Sequence, residues 1–93
     1  MSKILAAAGD FTIAQNTDTN VVTVSVRADK IPNRFGYGHT VENGNITRTW
    51  GRNMARKYLT PTQGERIDVS PAIDAFHVGS DLWRTYIVKG AAL

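Results

Sequence analysis

The sequence contains no cysteine among its 93 residues. This absence excludes disulfides, thiolate nucleophiles and cysteine-based zinc or iron–sulfur sites, and it fits a reducing compartment. Long apolar runs are also missing, since the longest covers only residues 4–8, far below the roughly 20 residues of a membrane-spanning helix. That run is too short for the apolar region of an export signal. We therefore expect a cytoplasmic protein that does not enter a membrane.

Motifs that indicate catalysis are missing too. The sequence has no nucleophile elbow, phosphate-binding loop, HExxH motif or cluster of carboxylates. His39 and His77 are its only histidines, and Asp74, Ser80 and Asp81 lie close to His77 in sequence. Catalytic triads, however, are assembled in space from separate elements. We predict no enzyme activity, no cofactor and no metal site, with a small hydrolase using His77 or His39 as a second alternative.

Acidic residues are scarce between positions 27 and 57. This segment has seven basic residues and two acids, a charge of +5, whereas four basic residues and six acids give the rest of the chain −2. Four of the eight aromatic residues lie in the segment or directly beside it. Positive charge interleaved with flat rings is typical of surfaces that bind polyanions with exposed bases.

The candidate binding residues come from this segment. Cationic groups would neutralise phosphates, and exposed rings would stack on unpaired bases with roughly 1–3 kcal/mol each. The candidates are Arg34, Tyr37, His39, Arg48, Trp50, Arg52, Arg56, Lys57 and Tyr58. A second interpretation places Trp50, Met54 and Tyr58 in the core, because their helical spacing suits packing and aromatic rings are usually buried. The arginines would then form a solvated face or meet acidic groups of a neighbouring subunit.

Two hairpins are predicted in the first half of the chain. Residues 21–27 alternate apolar and polar side chains, as a half-buried strand does. Residues 11–15 also alternate, and the turn-forming residues 16–20 join the two segments. Residues 37–42 and 45–50 flank the pair Asn43-Gly44, which is favoured in tight hairpin turns. A second hairpin is therefore predicted there.

The second half mixes helical and strand signals. After Gly51 the apolar residues follow a helical period, with basic residues opposite, so a short basic helix is predicted. Residues 66–69 resemble a strand, while Ser70-Pro71 resembles a helix N-cap followed by proline and predicts a second short helix through position 76. A turn at residues 79–81 precedes a closing strand at residues 82–89.

These elements predict one domain over residues 1–93. Its expected class is mainly β, a β-rich α+β fold, built as a small barrel or an antiparallel sheet of about five to six strands with one or two short helices. An open sheet must cover or pair its edges, and symmetric association is one way to do so.

The expected function is that of a non-catalytic binding and assembly module. We expect a homo-oligomer that presents the basic and aromatic residues between Arg27 and Tyr58 to nucleic acid or to an acidic protein neighbour. Small viral or phage structural and accessory proteins have a similar composition, so incorporation into a viral particle belongs to this hypothesis. The alternative is a small β-barrel domain that binds single-stranded nucleic acid.

Overall fold

The computed structural model describes residues 1–28 and 44–92. This part of the chain contains five strands and one helix: β1 (Ser2–Ala8), β2 (Phe11–Asn16), β3 (Val22–Arg27), α1 (Gly44–Tyr58), β4 (Asp68–Val78) and β5 (Asp81–Lys89). The strands form one antiparallel sheet in the order β1-β2-β3-β5-β4. The predicted mainly-β class is confirmed. Within the described residues the sheet is open, with β1 and β4 at its edges, and does not close into a barrel.

The first predicted hairpin is confirmed. Alternate residues of β2 and β3 face the core, and Ile13 lies opposite Val24 in the register. In the turn, the side-chain oxygen of Asn16 accepts hydrogen bonds from the backbone N–H groups of Asp18 at 2.9 Å and Thr19 at 3.2 Å. Side chains that bond their own backbone in this way favour turns. Local sequence signals were therefore sufficient for this hairpin.

Strand β1 was not predicted. It pairs with β2 along one edge of the sheet, with a register irregularity between Ile4 and Ala6. Three of its seven residues are alanines, and alanine is depleted in strands. Pairing with β2 therefore specifies this strand more than its own composition does.

Helix α1 covers one face of the sheet. Its residues Thr47, Gly51 and Ala55 recur every four positions and are buried, so they form a narrow stripe along one side of the helix. A Cβ at Gly51 would lie 3.4 Å from side-chain carbons of both Tyr86 and Val24. Small residues in this stripe thus let the helix backbone lie close to the sheet. The core beneath it contains Phe11, Ile13, Val22, Val24, Val26, Ala55, Ile67, Val69, Tyr86 and Val88.

The second predicted hairpin is wrong over residues 45–50. These residues belong to α1, which begins at Gly44 and not after Gly51. Residues 37–42 and Asn43 lie outside the described residues. The alternation across positions 45–50 was short, whereas the four-residue spacing of Thr47, Gly51 and Ala55 extends over about two helical turns and buries small side chains against the sheet. The predicted basic helix exists but starts earlier than expected.

The helix predicted from Ser70-Pro71 is also wrong, because β4 continues through these residues to Val78. Pro71 is tolerated on an edge strand and at a register irregularity, and the pairing with β5 shifts between Val69 and Ala72. The Ser70 hydroxyl accepts a hydrogen bond from the Ile87 backbone N–H at 2.9 Å. Ser70 therefore bonds to the neighbouring strand where the sequence predicted a helix cap.

The turn after position 78 and the closing strand β5 follow the prediction, whereas β4, the other strand of this hairpin, replaces the predicted helix. Gly79 has a positive φ of 62°, which glycine adopts without a steric penalty, and β5 starts two residues later. Tyr86 and Val88 of β5 are buried. Of the helical residues that the structure describes, no stretch combines the length and apolar character needed to span a bilayer.

Candidate functional site

Three arginines of α1 lie on the side of the helix that faces the start of β4. Arg48, Arg52 and Arg56 are spaced by four residues, which places them along one stripe of the helix surface. We call these three residues the arginine row. The stripe flanks the buried stripe of small residues, so the guanidinium groups extend from the edge of the helix–sheet interface and not from its outer face.

The arginine row binds the chain as it enters β4. Arg48 donates hydrogen bonds to the Val69 carbonyl from Nε at 3.2 Å and from Nη2 at 2.9 Å. Arg56 donates from Nε to the Ile67 carbonyl at 2.7 Å. Nη1 of Arg52 lies 3.7 Å from Oδ1 of Asp68, the intervening acid. These contacts hold α1 against the edge of the sheet and bring the three guanidinium groups together.

Many donors of the arginine row have no acceptor among the described residues. Each guanidinium carries five N–H donors. The Nε atom of Arg52 is buried and has no partner in the described part of the chain, and Arg56 donates only from Nε. Buried polar atoms in proteins are normally hydrogen-bonded. The row is therefore anchored to β4 by some of its donors, while others have no acceptor among the described residues.

The charge around the row is positive. Arg66 and Arg52 lower the pKa of Arg56, although partial desolvation is the larger cause and Asp68 opposes it. The pKa of the Asp68 carboxyl is also lowered, first by its hydrogen bond from the Val69 N–H, opposed by desolvation, and then by the three arginines of the row. We call the row together with Arg66 the arginine cluster. Even with Glu65 counted beside Asp68, its cations outnumber the acids by two.

A pocket adjoins the arginine cluster. Its volume is about 190 Å³, and it is lined by Arg56, Pro61, Glu65, Arg66 and Ile67. Two cationic residues, two apolar residues and one acidic residue thus line the same pocket. Charge and apolar surface meet here in a recess of the protein surface.

Backbone hydrogen bonds hold the segment that lines this pocket. The Thr62 N–H donates to the Gly90 carbonyl at 2.7 Å, and the Glu65 N–H donates to the Thr62 carbonyl at 2.8 Å. Gly90 has a φ of 80°, and a Cβ there would lie 2.7 Å from the Arg66 carbonyl oxygen. The pocket is therefore supported by a close backbone approach that requires glycine at position 90.

The structure separates the predicted rings from the arginine row. At 100° per residue, Trp50 lies roughly 160° from Arg52 around the helix axis, and it packs against the core. Tyr58 is 47% exposed, and its ring stacks on Phe11 with centroids 5.1 Å apart. Lys57 extends its ammonium over the Tyr58 ring, 5.5 Å from the centroid.

The predicted site residues therefore fall into three groups. Arg48, Arg52 and Arg56 come together beside β4, whereas the structure places Trp50, Lys57 and Tyr58 on a different part of α1. The remaining predicted residues, Arg34, Tyr37 and His39, lie outside the described residues.

Sequence reasoning missed Arg66 and the pocket. Arg66 and Glu65 lie outside the basic segment of residues 27–57 and reach the row only through the fold. A cation eight to ten residues beyond a basic helix is a weak signal, and no local periodicity connects the two. Contacts such as the hydrogen bond between Arg56 and the Ile67 carbonyl bring this segment back to the helix.

His77 lies on the exposed part of β4, opposite Leu82. Asp74 is three residues away on the same strand, so its side chain points to the opposite face of the sheet. In the part of the chain that the structure describes, no group of three His, Asp or Glu side chains could hold a metal ion.

Comparisons of the chain with protein families, with curated proteins and with solved structures found no match.

Proposed function

We propose that this chain is a non-catalytic module that binds nucleic acid through the arginine cluster. The observation that carries the proposal is the arginine cluster itself, whose positive charge the neighbouring acids do not balance and whose guanidinium groups keep donors without an acceptor among the described residues. Planar guanidinium groups match phosphate oxygens in a bidentate geometry. Phosphate groups would supply both the acceptors and the negative charge that this surface lacks.

The placement of the rings favours contacts with the nucleic-acid backbone. Phosphate contacts position a protein on nucleic acid, while base contacts specify sequence. Trp50 packs against the core, and the Tyr58 ring is stacked on Phe11 away from the row. We therefore expect binding with little sequence preference and with strong salt dependence.

The double variant Arg52→Ala/Arg56→Ala tests this function. We expect it to weaken binding of a labelled 20-nucleotide strand and to lower the slope of log affinity against log salt. The slope should fall by about one, or somewhat less, for each phosphate that no longer binds an arginine. Fluorescence anisotropy across a salt series measures both quantities. Arg56→Ala also removes a hydrogen bond to the Ile67 carbonyl. Circular dichroism is therefore needed as a check, and we expect it to show that the double variant keeps the fold.

Lys57→Ala is the matched control, since it removes a cation of α1 outside the row and should change the slope less. Wild-type binding that ignores salt, or equal slopes for the wild type and the double variant, would overturn the proposal. Tighter binding of an acidic peptide than of nucleic acid at equal salt would instead assign the cluster to a protein partner.

Self-association is a second proposal, and a separate observation supports it. Residues 71–78 of the edge strand β4 are all exposed. They include Ile73 and Val78, which are 54% and 57% exposed, and Phe76, which stacks on Trp83 at 6.2 Å. Unpaired edge strands with apolar side chains associate readily with other strands. A second copy would supply an identical strand through two-fold symmetry.

Ile73→Lys tests the association, because a charge on an edge strand opposes strand pairing. Light scattering at micromolar concentration should give a defined oligomer for the wild type and a smaller mass for the variant. Ile4→Lys places the same charge on the other edge, β1, and should leave the mass unchanged. A wild type that is monomeric throughout this range would refute the second proposal and leave the first intact.

A further inference from the structure

We propose that the pocket beside the arginine cluster holds one nucleotide unit of RNA, with its phosphate on Arg56 and Arg66 and its 2′-hydroxyl donating to the Glu65 carboxylate. This inference rests on the proposed nucleic-acid binding and names the class of nucleic acid. Discrimination between RNA and DNA would come from the carboxylate, while the arginines would bind both.

The size of the pocket limits what it can hold. Its volume is about 190 Å³, below the range of roughly 300–1,000 Å³ that is usual for sites enclosing drug-sized ligands. A sugar with its phosphate is a smaller unit than a complete nucleoside with its base inside. The base would then remain outside the pocket, in agreement with a site that does not read sequence.

The cationic and apolar residues of the pocket suit the phosphate and the sugar of such a unit, respectively. Arg56 and Arg66 lie close enough for the charge of one to lower the pKa of the other, so a phosphate between them would relieve their repulsion. Pro61 is exposed and gives the pocket apolar surface against which the carbon face of a sugar can pack, whereas Ile67 is buried in the core. Arg66 and Pro61 belong to the segment that Gly90 supports by close backbone contact, while Arg56 comes from α1.

Glu65 is the residue that a simple phosphate site would not contain. Within the described residues its carboxylate forms no ion pair, although Arg66 is its neighbour in sequence. A carboxylate beside a phosphate raises the free energy of binding unless it accepts a hydrogen bond from the ligand. An ionised carboxylate only accepts, and the 2′-hydroxyl is the donor that RNA has and DNA lacks.

Oligouridine and oligodeoxyuridine of equal length provide a direct test, because they differ only at the 2′ position. We expect the wild type to bind the RNA roughly three- to tenfold more tightly, as one net hydrogen bond would give. Glu65→Ala should remove this preference, and Glu65→Gln should keep part of it, since an amide carbonyl also accepts. Asp74→Ala removes an exposed acid seven residues beyond Ile67, further along β4, and should leave the ratio unchanged.

The ratio of the two affinities is the decisive quantity, because removal of a negative charge strengthens binding of both strands. Arg66→Ala should weaken both. Equal wild-type affinity for the two strands, with the salt slope intact, would overturn this inference and leave the proposed function standing. A preference for RNA that survives Glu65→Ala would also overturn it. Failure to bind either strand would overturn both proposals.

Discussion

Replacing Tyr86 with alanine should lower the free energy of unfolding by about 3–5 kcal/mol, the range for truncation of a large buried aromatic residue. Tyr86 is only 1% exposed, and its ring lies against the helix at Gly51. Its hydroxyl donates to Oγ1 of the buried Thr47, and burial raises the pKa of Tyr86. Truncation would therefore leave a cavity beneath α1 and remove a buried hydrogen bond.

Tyr86→Phe separates the two contributions. It keeps the ring and removes the hydroxyl, so we expect a loss of about 1 kcal/mol, which is typical of one hydrogen bond. Gln63→Ala, at an exposed turn position outside the sheet and the helix, should change stability by less than about 0.5 kcal/mol, as surface substitutions do. Urea denaturation measures all three. A loss for Tyr86→Ala no larger than that of the control would show that this contact does not hold α1 to the sheet.

Two substitutions at Gly51 should change the free energy of unfolding in opposite directions. Gly51→Ala places a Cβ 3.4 Å from carbons of Tyr86 and Val24, an ordinary contact distance. It should therefore stabilise the protein by up to about 1 kcal/mol, the difference in helix propensity between glycine and alanine. Gly51→Leu adds three more carbons with no space between helix and sheet, so we expect a loss of about 1–3 kcal/mol or more.

The exposed position Asn53 is the matched control within α1. Both Asn53→Ala and Asn53→Leu should be neutral or slightly stabilising there, because both residues favour helices more than asparagine does. Thermal and urea denaturation of the four variants give the comparison. Gly51→Ala and Gly51→Leu changing stability in the same direction would contradict the close helix–sheet contact that we describe.

Strands with two-residue alternation could be predicted from sequence. The valines of β3 and the apolar residues of β2 face the core as their spacing requires, and the turn between them carries its own hydrogen bonds. The closing strand β5 was predicted from the strand preference of its residues and from the turn before it. In each case local preference and burial favour the same conformation, so neighbouring elements were not needed to choose between alternatives.

Elements whose local signals conflict with their position were predicted wrongly or missed. Ser70-Pro71 satisfies the rules for a helix start, yet the segment lies at a sheet edge, where proline loses no ladder bond and the Ser70 hydroxyl bonds to Ile87. The alanines of β1 carry little strand preference. Residues 45–50 alternate over a short stretch, but burial of Thr47 and Gly51 against the sheet selects the helix.

Part of the candidate site could likewise be predicted from the sequence, and part depends on the tertiary structure. The basic character of α1 and the spacing of Arg48, Arg52 and Arg56 follow from the sequence, because a helix brings every fourth residue to one side. The anchoring of the row on the Ile67 and Val69 carbonyls depends on contacts between distant segments. The separation of the row from Trp50 follows instead from the helical period, because residues two positions apart lie on nearly opposite sides of a helix.

The sequence alone determined the mainly-β class, the first hairpin, the closing strand with the turn before it, and a helix rich in arginine, since these depend on periodicity and turn preference within short stretches. Tertiary structure alone decided that the sheet stays open over the described residues, that β4 replaces a helix, and that Arg66 and Glu65 join the arginine row around a pocket. The physical reason is that burial and hydrogen bonding between distant segments contribute more free energy than local preference wherever the two disagree.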